Sequence, residues 1–404
     1  MGESVTITGL GRQGDGIAED GRFVVGALPG ETWRLNDDQS PELAGPPSCD
    51  RIEPVCQHFE HCGGCVAQHM STDAYRAWKR QIAVDALARE DIGADLGEMF
   101  CVPSGTRRRA TFQIAHRGGD VRVGFHERRG HTVFDMVMCP VMASEIVAAL
   151  PALRKIGALL GQHGGAKASV THVSDGLTVS IRTGKKNARL RPETQTEIAK
   201  LTRAMPCLRL TIDGEVIAAR GDAMLTFGQA HVAVPDSCFL QAVPAAEQAM
   251  QRLVLDGIAG IRKVADLFCG AGTFALPAAE FAQVTAYDSD GAAIDALNDA
   301  VRHTQGLKPV QAMRRDLFRQ PLGARELKGI GGVIINPPRA GARSQCLELA
   351  ASDVKRVVMV SCNPTTFARD ARILIDGGFS MSPVTPIDQF LWSHHVEVVA
   401  TFSR

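Results

Sequence analysis

The chain has 404 residues, of which 45% are hydrophobic and 22% charged, as in ordinary globular proteins. This length exceeds what one hydrophobic core usually supports, so we expect two or three domains. The 44 Lys and Arg residues balance the 44 Asp and Glu residues, which excludes binding of nucleic acid through net charge and leaves only a local basic patch. No apolar stretch reaches membrane-spanning length, so we expect no membrane partner. Eleven cysteines without an apolar leader predict a cytoplasmic protein that uses reduced thiols for metal binding or catalysis.

The first segment, residues 3–35, alternates strand-like runs with glycine turns, which is typical of a small β-barrel. The Gly14-Asp15-Gly16 turn and the closing Leu28-Pro29-Gly30-Glu31 resemble the TRAM domain, an OB-like RNA-binding module. A Pro- and Gly-rich linker at residues 41–47 follows almost directly, so the module is predicted to be shortened. We therefore predict a truncated TRAM-like β module and linker over residues 1–47, with a purely structural β-meander as the alternative.

A group of closely spaced cysteines follows the linker. Glycines separate two of them, which leaves the backbone free to wrap around an inorganic core, and a more distant cysteine precedes a proline. Thiolates bind both iron–sulfur clusters and structural zinc, so the residues alone leave the two metals open. The predicted metal ligands are Cys56, Cys62, Cys65 and Cys139.

Residues 48–235 form the predicted central domain, of the α+β class, with a helix from Ser71 onward and antiparallel strands over residues 107–136. On the helix, Tyr75, Trp78, Ile82 and Ala86 recur on one face, which indicates core packing. The strands carry most of the local positive charge, and this favours contacts with RNA phosphates over a solvated, salt-bridged face. The basic and titratable residues are Arg107, Arg108, Arg109, His116, Arg117, Arg122, His126, Arg128, Arg129 and His131.

Residues 236–404 alternate β and α elements and predict a Rossmann-like domain. The strand Lys263–Leu267 runs through a glycine-rich turn with Gly270 and Gly272 into a helix, which lets a nucleotide-like ligand approach the backbone. A second strand ends at Asp288, which is placed to bind ribose hydroxyls. Asp316, after the third strand, offers an acid to an adenine amino group.

Two further strands end in polar turns. Gly332–Ile335 leads into Asn336-Pro337-Pro338-Arg339, and the apolar run at residues 357–360 leads into Ser361-Cys362-Asn363-Pro364. Because ligands bind at the carboxyl ends of strands in open α/β sheets, Cys362 is expected at the mouth of a site. A buried free cysteine is the alternative for this residue taken alone.

Several motifs together resemble the RNA 5-methyluridine (uracil-C5) methyltransferase family, in its iron–sulfur-containing 23S ribosomal RNA type. The motifs occur in the order of that family from the cysteine group to the end of the chain. They are the four cysteines, Phe239-Leu240-Gln241, the Asp266–Thr273 turn, Asn336-Pro337-Pro338-Arg339, Val360-Ser361-Cys362-Asn363-Pro364 and His395-Val396-Glu397.

The resemblance implies an α/β fold with a C-terminal Rossmann-like class I methyltransferase domain, and S-adenosylmethionine as cofactor. It implies that Cys362 adds to uracil C6, that Glu397 abstracts the C5 proton, and that Phe239 stacks on RNA. It favours a [4Fe–4S] cluster over zinc on the four cysteines, and a monomer acting on 23S ribosomal RNA, with transfer RNA as the second substrate. The implied cofactor-binding residues are Gln241, Asp266, Gly270, Gly272, Asp288, Asp316 and Asn336.

One residue departs from the family pattern, which usually has Asp-Pro-Pro-Arg where this chain has Asn336. Asparagine both donates and accepts hydrogen bonds, whereas an ionised aspartate only accepts them. Asn336 also brings the motif closer to that of N-methyltransferases acting on nucleobase amines, which is the second hypothesis; Arg339 in place of an aromatic residue disfavours it. The third hypothesis is a non-catalytic RNA-binding protein with a structural or redox-sensing cluster.

Overall fold

The computed structural model describes residues 3–36, 41–93, 95–117, 119–161, 165–184, 190–236 and 238–404. Within these ranges, the chain forms three β-sheets, one separate hairpin and the helices that cover them. No helix in this part of the chain combines the length and the apolar character needed to cross a membrane.

The elements are numbered along the chain. The helices are α1 (Thr72–Ala88), α2 (Ser144–Ala148), α3 (Leu150–Leu159), α4 (Pro192–Leu201), α5 (Pro244–Gly257), α6 (Ala275–Ala278), α7 (Gly291–His303), α8 (Arg343–Ala350) and α9 (Pro364–Asp376). The strands are β1 (Glu3–Leu10), β2 (Gly16–Ala18), β3 (Phe23–Val24), β4 (Thr32–Leu35), β5 (Pro41–Leu43), β6 (Phe100–Cys101), β7 (Arg109–Arg117), β8 (Asp120–Gly124), β9 (Ala166–Val173), β10 (Gly176–Thr183), β11 (Cys207–Ile212), β12 (Glu215–Ala219), β13 (Met224–Phe227), β14 (Ala230–Ala233), β15 (Lys263–Leu267), β16 (Gln283–Asp288), β17 (Val310–Arg314), β18 (Gly332–Ile335), β19 (Arg356–Ser361), β20 (Ser380–Met381), β21 (Thr385–Asp388) and β22 (Glu397–Ser403).

The N-terminal sheet is antiparallel, with strand order β3-β2-β1-β4-β5. Apolar residues alternate along β1, so that Val5 and Ile7 are buried in its small core while their neighbours face outward. Strand β5 lies inside the segment predicted to be a linker and pairs with β4, with Leu43 opposite Trp33. The segment predicted to be a linker therefore begins with one short strand that completes the N-terminal sheet.

The central sheet has the order β12-β11-β10-β9-β7-β8, in which only β10 and β11 pair in parallel. Phe112, Val170 and Val179 alternate with polar residues and point into a core shared with α3 and α4. The antiparallel strands predicted over residues 107–136 correspond to β7 and β8.

The C-terminal sheet is the framework of the Rossmann-like domain and confirms the predicted fold class. Its order is β17-β16-β15-β18-β19-β22-β21-β6, and β20 also pairs with β22. The first five strands are parallel and β22 is antiparallel to β19. Apolar clusters bury both faces, as the continuous apolar runs of these strands require. The carboxyl ends of β15, β16, β18 and β19 therefore meet at one edge.

Two elements from the first hundred residues also belong to this C-terminal assembly. Helix α1 begins after Ser71, whose hydroxyl accepts a hydrogen bond from the Ala74 amide at 3.2 Å, and its Ala83 and Ala86 pack into the core of the C-terminal sheet. Strand β6 pairs in parallel with β21. The domain boundaries at residues 47 and 235 stay a prediction. Helix α1 and strand β6 lie within the predicted central domain but pack with the C-terminal sheet.

Candidate active site

Strand pairing brings the predicted nucleophile and the predicted base together. In the antiparallel ladder of β19 and β22, Ser361 lies opposite Val398, so the next pair in register is Cys362 and Glu397. Cys362 is half-buried, and Glu397 is only 2% exposed. A thiol and a carboxylate 35 positions apart in the sequence are thus brought together where neighbouring strands pair.

A buried glutamine that sequence reasoning missed orients the carboxylate. Gln389 Nε2 donates to Glu397 Oε1 at 2.8 Å and to Gln241 Oε1 at 2.7 Å, while its own Oε1 accepts from the Ala242 amide at 2.9 Å. Every polar atom of the Gln389 amide has a partner, so its orientation is defined. A lone glutamine after a short strand carries no sequence signal for such a role.

Burial raises the pKa of Glu397 to about 7, and the Gln389 amide and the charge of Arg339 offset part of this effect. A carboxyl group with a pKa near neutrality is well matched to accepting and releasing a proton at physiological pH. Of the carboxylates predicted to act in this site, Glu397 has the environment that a general base needs.

Arg339 lies beside the thiol. Burial raises the pKa of Cys362, the negative charge of Glu397 raises it further, and the Arg339 guanidinium lowers it. Arg339 Nη2 donates to His395 Nε2 at 3.0 Å. Burial, together with neighbouring His394 and Arg339, lowers the pKa of His395 to about 3, so its ring is neutral and can accept this bond. Arg339 is thereby held where it can stabilise a thiolate.

The turn that follows the thiol is held from two sides. Asn363 Oδ1 caps α9 by accepting from the Thr365 amide at 3.2 Å, and Asn363 Nδ2 donates to the Arg339 carbonyl at 3.1 Å. From the turn between β1 and β2, Arg12 donates to Asn363 Oδ1 at 3.1 Å and to Thr365 Oγ1 at 2.9 Å. The N-terminal module therefore contacts the nucleophile turn directly.

The glycine-rich turn after β15 has the open backbone expected of a cofactor cradle. Gly270 and Gly272 have φ angles of 54° and 97°, which favour glycine. A Cβ on Gly270 would meet no atom within 4 Å, so this side of the turn is open space. The Gly270 amide donates to Asp288 Oδ2 at 2.8 Å, and the Asp290 amide donates to Asp288 Oδ1 at 2.9 Å. Asp288 thus braces the turn and keeps a second lone pair on each oxygen.

Asp266, under the same turn, is fully buried, and neither carboxylate oxygen has a hydrogen-bond partner among the described residues. Burial, reinforced by the charge of Asp288, raises the pKa of Asp266 far above its ordinary range. An unpartnered buried carboxylate is costly unless a cation reaches it. S-adenosylmethionine carries an ammonium and a sulfonium, so this environment fits that cofactor.

The remaining predicted cofactor residues differ in how free they are. Gln241 is buried, and no described residue accepts a hydrogen bond from its Nε2; Asn336 is half-buried, and its side chain makes no hydrogen bond in the described part of the chain. Asp316 is exposed and caps a turn by accepting from the Phe318 amide at 3.0 Å. Its carboxylate therefore already has a structural role.

An aromatic pair at the end of β15 was missed by sequence reasoning. Phe268 has a φ of 62°, a strained conformation for a residue with a Cβ, and its ring centroid lies 5.4 Å from that of Phe318. Such strain concentrates at functional sites. The only sequence signal was its place between Asp266 and the glycine turn.

The four predicted metal ligands, Cys56, Cys62, Cys65 and Cys139, are brought together and line one cavity of about 470 Å³. The Gly64 amide donates to Cys62 Sγ at 3.4 Å, and a Cβ on Gly63 would lie 2.9 Å from the His126 carbonyl oxygen. A side chain at position 63 would clash with this backbone, so Gly63 is needed for the close approach of the loop.

The arrangement of the cysteines also bears on the choice of metal. A zinc ion needs its sulfur ligands about 2.3 Å from one point. Across the described ranges, no three His, Cys, Asp or Glu side chains converge to hold a single metal ion. The described residues therefore form no ready single-ion site, and the all-thiol donor set suits both zinc and iron–sulfur centres.

The basic stretch is less exposed than its composition predicts. Arg108 is 5% exposed and forms an ion pair with Glu247 at 2.6 Å, so its predicted contact with RNA phosphate was wrong. Its partner lies far away in the sequence and could not be identified from it. The side chain of Arg117 lies outside the described residues.

Next to this stretch, one predicted RNA contact does reach the surface. Phe239 is 62% exposed, and the Arg109 guanidinium lies 5.4 Å from its ring centroid. An exposed aromatic ring supported by a cation is suited to base stacking.

Comparison with known proteins decides the family. The profile of the tRNA (Uracil-5-)-methyltransferase family matches residues 224–404. An uncharacterised RNA methyltransferase of Brucella suis is 43% identical, with 99% of this chain and 97% of the relative covered. The 23S rRNA (uracil(1939)-C(5))-methyltransferase RlmD of Alteromonas naphthalenivorans is 30% identical, with 100% of this chain and 89% of the relative covered. The chain belongs to the RNA uracil-C5 methyltransferase family. It is an enzyme that uses S-adenosylmethionine to methylate RNA.

A solved structure shows that the whole architecture is shared. The tRNA (uracil-54, C5)-methyltransferase of Pyrococcus abyssi, in complex with S-adenosyl-L-homocysteine, has a TM-score of 0.76 at 20% identity, with 99% of both chains covered. This confirms the predicted fold for the full length of this RNA uracil-C5 methyltransferase.

Replacing Gln389 by Met should shift the acid limb of the pH–rate profile upward. A base is active only when ionised, so activity falls as the pH drops through the Glu397 pKa of about 7. Loss of a hydrogen bond to a charged group, about 1.5–3 kcal/mol, raises that pKa by about one to two units. The measurement is tritium release from RNA carrying 5-tritiated uridine, as a function of pH.

The matched control is Gln345→Met, which removes another buried glutamine, one that bonds the backbone of Leu322. Its profile should follow that of the unmodified enzyme. A Gln389→Met profile with an unshifted acid limb would contradict the role given to this amide.

Proposed function

We propose that this enzyme methylates uridine C5 in 23S ribosomal RNA through addition of Cys362 to C6 and proton abstraction by Glu397. The observation that carries the proposal is the pairing of a half-buried thiol with a buried carboxyl group of pKa about 7 at the carboxyl edge of the sheet. Both groups lie at the same edge of the sheet as the glycine-rich turn that fits S-adenosylmethionine.

In the first step, Cys362 supplies electron density to a ring carbon that is a poor nucleophile. The half-buried thiol gives its proton to solvent and the sulfur bonds to C6. The C5–C6 π electrons move through C5 to the C4 oxygen, which gives an enolate. Arg339 stabilises the thiolate, because its charge lowers the pKa that burial raises. When bound, S-adenosylmethionine supplies the methyl group that C5 takes.

In the last step, Glu397 removes the proton that remains on C5. The electrons of the C5–H bond re-form the C5–C6 double bond, the C6–S bond breaks, and Cys362 leaves as the thiolate. Gln389 keeps the carboxylate oriented during this transfer. The target base must leave the RNA stack to reach these groups, so single-stranded or loop RNA is the expected substrate.

We assign cofactor binding to the residues around the glycine turn and the adjacent strand ends. Asp266 offers a buried carboxyl group that the cationic part of the cofactor would favour in its ionised form, and Asp288 has lone pairs that can accept from hydroxyl groups. The full set is Gln241, Asp266, Gly270, Gly272, Asp288, Asp316 and Asn336.

The choice of ribosomal RNA rests on similarity to the RlmD relative. Transfer RNA is the alternative substrate, supported by the family profile and by the Pyrococcus abyssi fold. The unbonded Asn336 amide keeps methylation of a nucleobase amine as a second candidate reaction, since it can orient an amino group. We further propose a cytoplasmic monomer with the domain boundaries given above.

Tritium release separates these alternatives. Ribosomal and transfer RNA carrying [5-³H]uridine, each prepared from cells lacking this enzyme, are incubated with enzyme and S-adenosylmethionine. We expect release from ribosomal RNA alone. Release from transfer RNA alone would change the substrate, whereas methyl incorporation without tritium release would contradict C5 chemistry and favour an amine.

The two proposed catalytic residues should fail in different ways. Cys362→Ala should abolish methyl transfer and leave binding of S-adenosylhomocysteine near normal, because the thiol acts only on the base. Glu397→Gln should accumulate a covalent, methylated enzyme–RNA adduct, because addition and methylation precede its step. Denaturing gels with labelled cofactor detect the adduct. Absence of a shifted species with Glu397→Gln would remove Glu397 as the base.

We propose that Cys56, Cys62, Cys65 and Cys139 hold a [4Fe–4S] cluster. The support is their common cavity, the all-thiol donor set and Gly63, which allows the close approach of the loop. The cluster would link the cysteine loop to Cys139 and so to the central sheet, and no step of the reaction is assigned to it.

Metal content tests this assignment. The purified protein should be brown and contain about four irons and four acid-labile sulfides per chain. Cys62→Ser should lose the colour and most of the iron, whereas Cys49→Ser, a change at an exposed free cysteine, should retain both. A colourless protein with one equivalent of zinc would overturn the cluster.

A further inference from the structure

A lysine on helix α1 is buried against residues 388–395, the segment that leads to Glu397, the proposed general base. The side chain of Lys79 has 0% exposure, and its Nζ lies 2.8 Å from Asp388 Oδ1. The ammonium donates to the carbonyl oxygens of Phe390 at 3.3 Å, Ser393 at 2.9 Å and His395. The three ammonium protons of Lys79 thus bond three carbonyl oxygens of one segment. The carboxylate of Asp388, at the start of that segment, neutralises the ammonium charge.

The same helix supplies a second contact to this segment. The Tyr75 hydroxyl donates to Asp388 Oδ2 at 2.5 Å and accepts from the Trp392 amide at 2.8 Å. Because Tyr75 and Lys79 are four residues apart, they lie on one face of α1. Asp388 is therefore held by an ammonium at one oxygen and by a hydroxyl at the other.

The segment held in this way, residues 388–397, carries groups of the active site at both ends. Gln389, next to Asp388, hydrogen-bonds Glu397, and His395 accepts from Arg339, which lies beside Cys362. Residues 389–396 between β21 and β22 contain no helix or strand, so their conformation depends on side chains packed against them. The ammonium of Lys79 is at the centre of that packing.

An ion pair in a dry environment is a weak source of stability, because well-packed apolar side chains of similar size often stabilise as well or better. An apolar side chain, however, could not satisfy three inward-pointing carbonyl groups. The geometry of the contacts points to a role in fixing the shape of residues 388–397.

We propose that Lys79, together with Asp388 and Tyr75, is a positioning residue for the proton-abstraction step. It shapes residues 388–397 so that Gln389 can orient the Glu397 carboxylate toward the C5 proton of the uracil ring. This inference rests on the proposed function, since it acts through Glu397. Because its side chain is fully enclosed by protein, Lys79 acts through these residues and not by direct contact with cofactor or RNA.

The test compares Lys79→Met with the double variant Lys79→Met/Asp388→Asn, which removes both buried charges and so avoids an unpaired carboxylate. For both, we expect tritium release to slow by about tenfold to a hundredfold, within the range that a misplaced general base costs. Adduct formation and S-adenosylhomocysteine affinity should stay near those of the unmodified enzyme. The methylated covalent adduct should therefore make up a larger fraction of the enzyme during turnover.

The control is the double variant Glu31→Gln/Arg51→Gln, which neutralises another ion pair, 2.6 Å long, between the buried Glu31 of the N-terminal module and the partly exposed Arg51. If loss of a buried charge pair only reduced the amount of folded enzyme, both double variants would lose activity with an unchanged adduct fraction. We expect the control to keep the adduct fraction of the unmodified enzyme.

Two results would overturn the proposal. One is a folded double variant with unchanged tritium release and adduct fraction. The other is an equal loss of addition and release without adduct, which would show that the pair only maintains the fold. Failure of the proposed function is distinguishable from both, because the unmodified enzyme would then release no tritium.

Discussion

The pairing of β19 with β22 is the constraint on which the active site depends. Both faces of these strands are buried in packed apolar cores, so a slip of one residue would move each β22 side chain to the opposite core, disrupt the packing of both cores and move Cys362 away from Glu397. The same burial that fixes the register raises the pKa values of both groups. In the proposed reaction the two groups need not be charged at the same time. When Glu397 must be ionised to take the C5 proton, the Cys362 sulfur is bonded to C6 and carries no charge.

The surroundings of this pair come from every part of the chain. Arg12, in the turn after β1, hydrogen-bonds the turn after the thiol, and Lys79 of α1 hydrogen-bonds the segment before Glu397. Arg339 follows the neighbouring strand and hydrogen-bonds His395. Precise placement of a few reacting atoms is most effective when the supporting side chains are themselves held. Here the supports are hydrogen bonds and ion pairs between segments that are distant in sequence.

The sequence allowed prediction of the parts that follow local rules. Apolar strands ended by glycine or proline turns identified the positions of Gly270, Asp288 and Cys362, because such patterns depend only on neighbouring residues. The roles of Gln389 and Lys79 could not be predicted, since each depends on partners brought near by folding. The burial of Arg108 was missed for the same reason, and β5 and β6 were missed because two or three residues give no usable periodicity.

The order of the strands in the C-terminal sheet affects how the enzyme folds during its synthesis. Strand β22 is an interior strand, yet the ribosome reaches it after every other strand of this sheet, and β6 is among the first segments synthesised. Until β22 emerges, β19 presents an open strand edge, the kind of surface that promotes aggregation of nascent chains. Completion of the sheet and assembly of the proposed active site are therefore a single event, because β22 begins at Glu397, the proposed base.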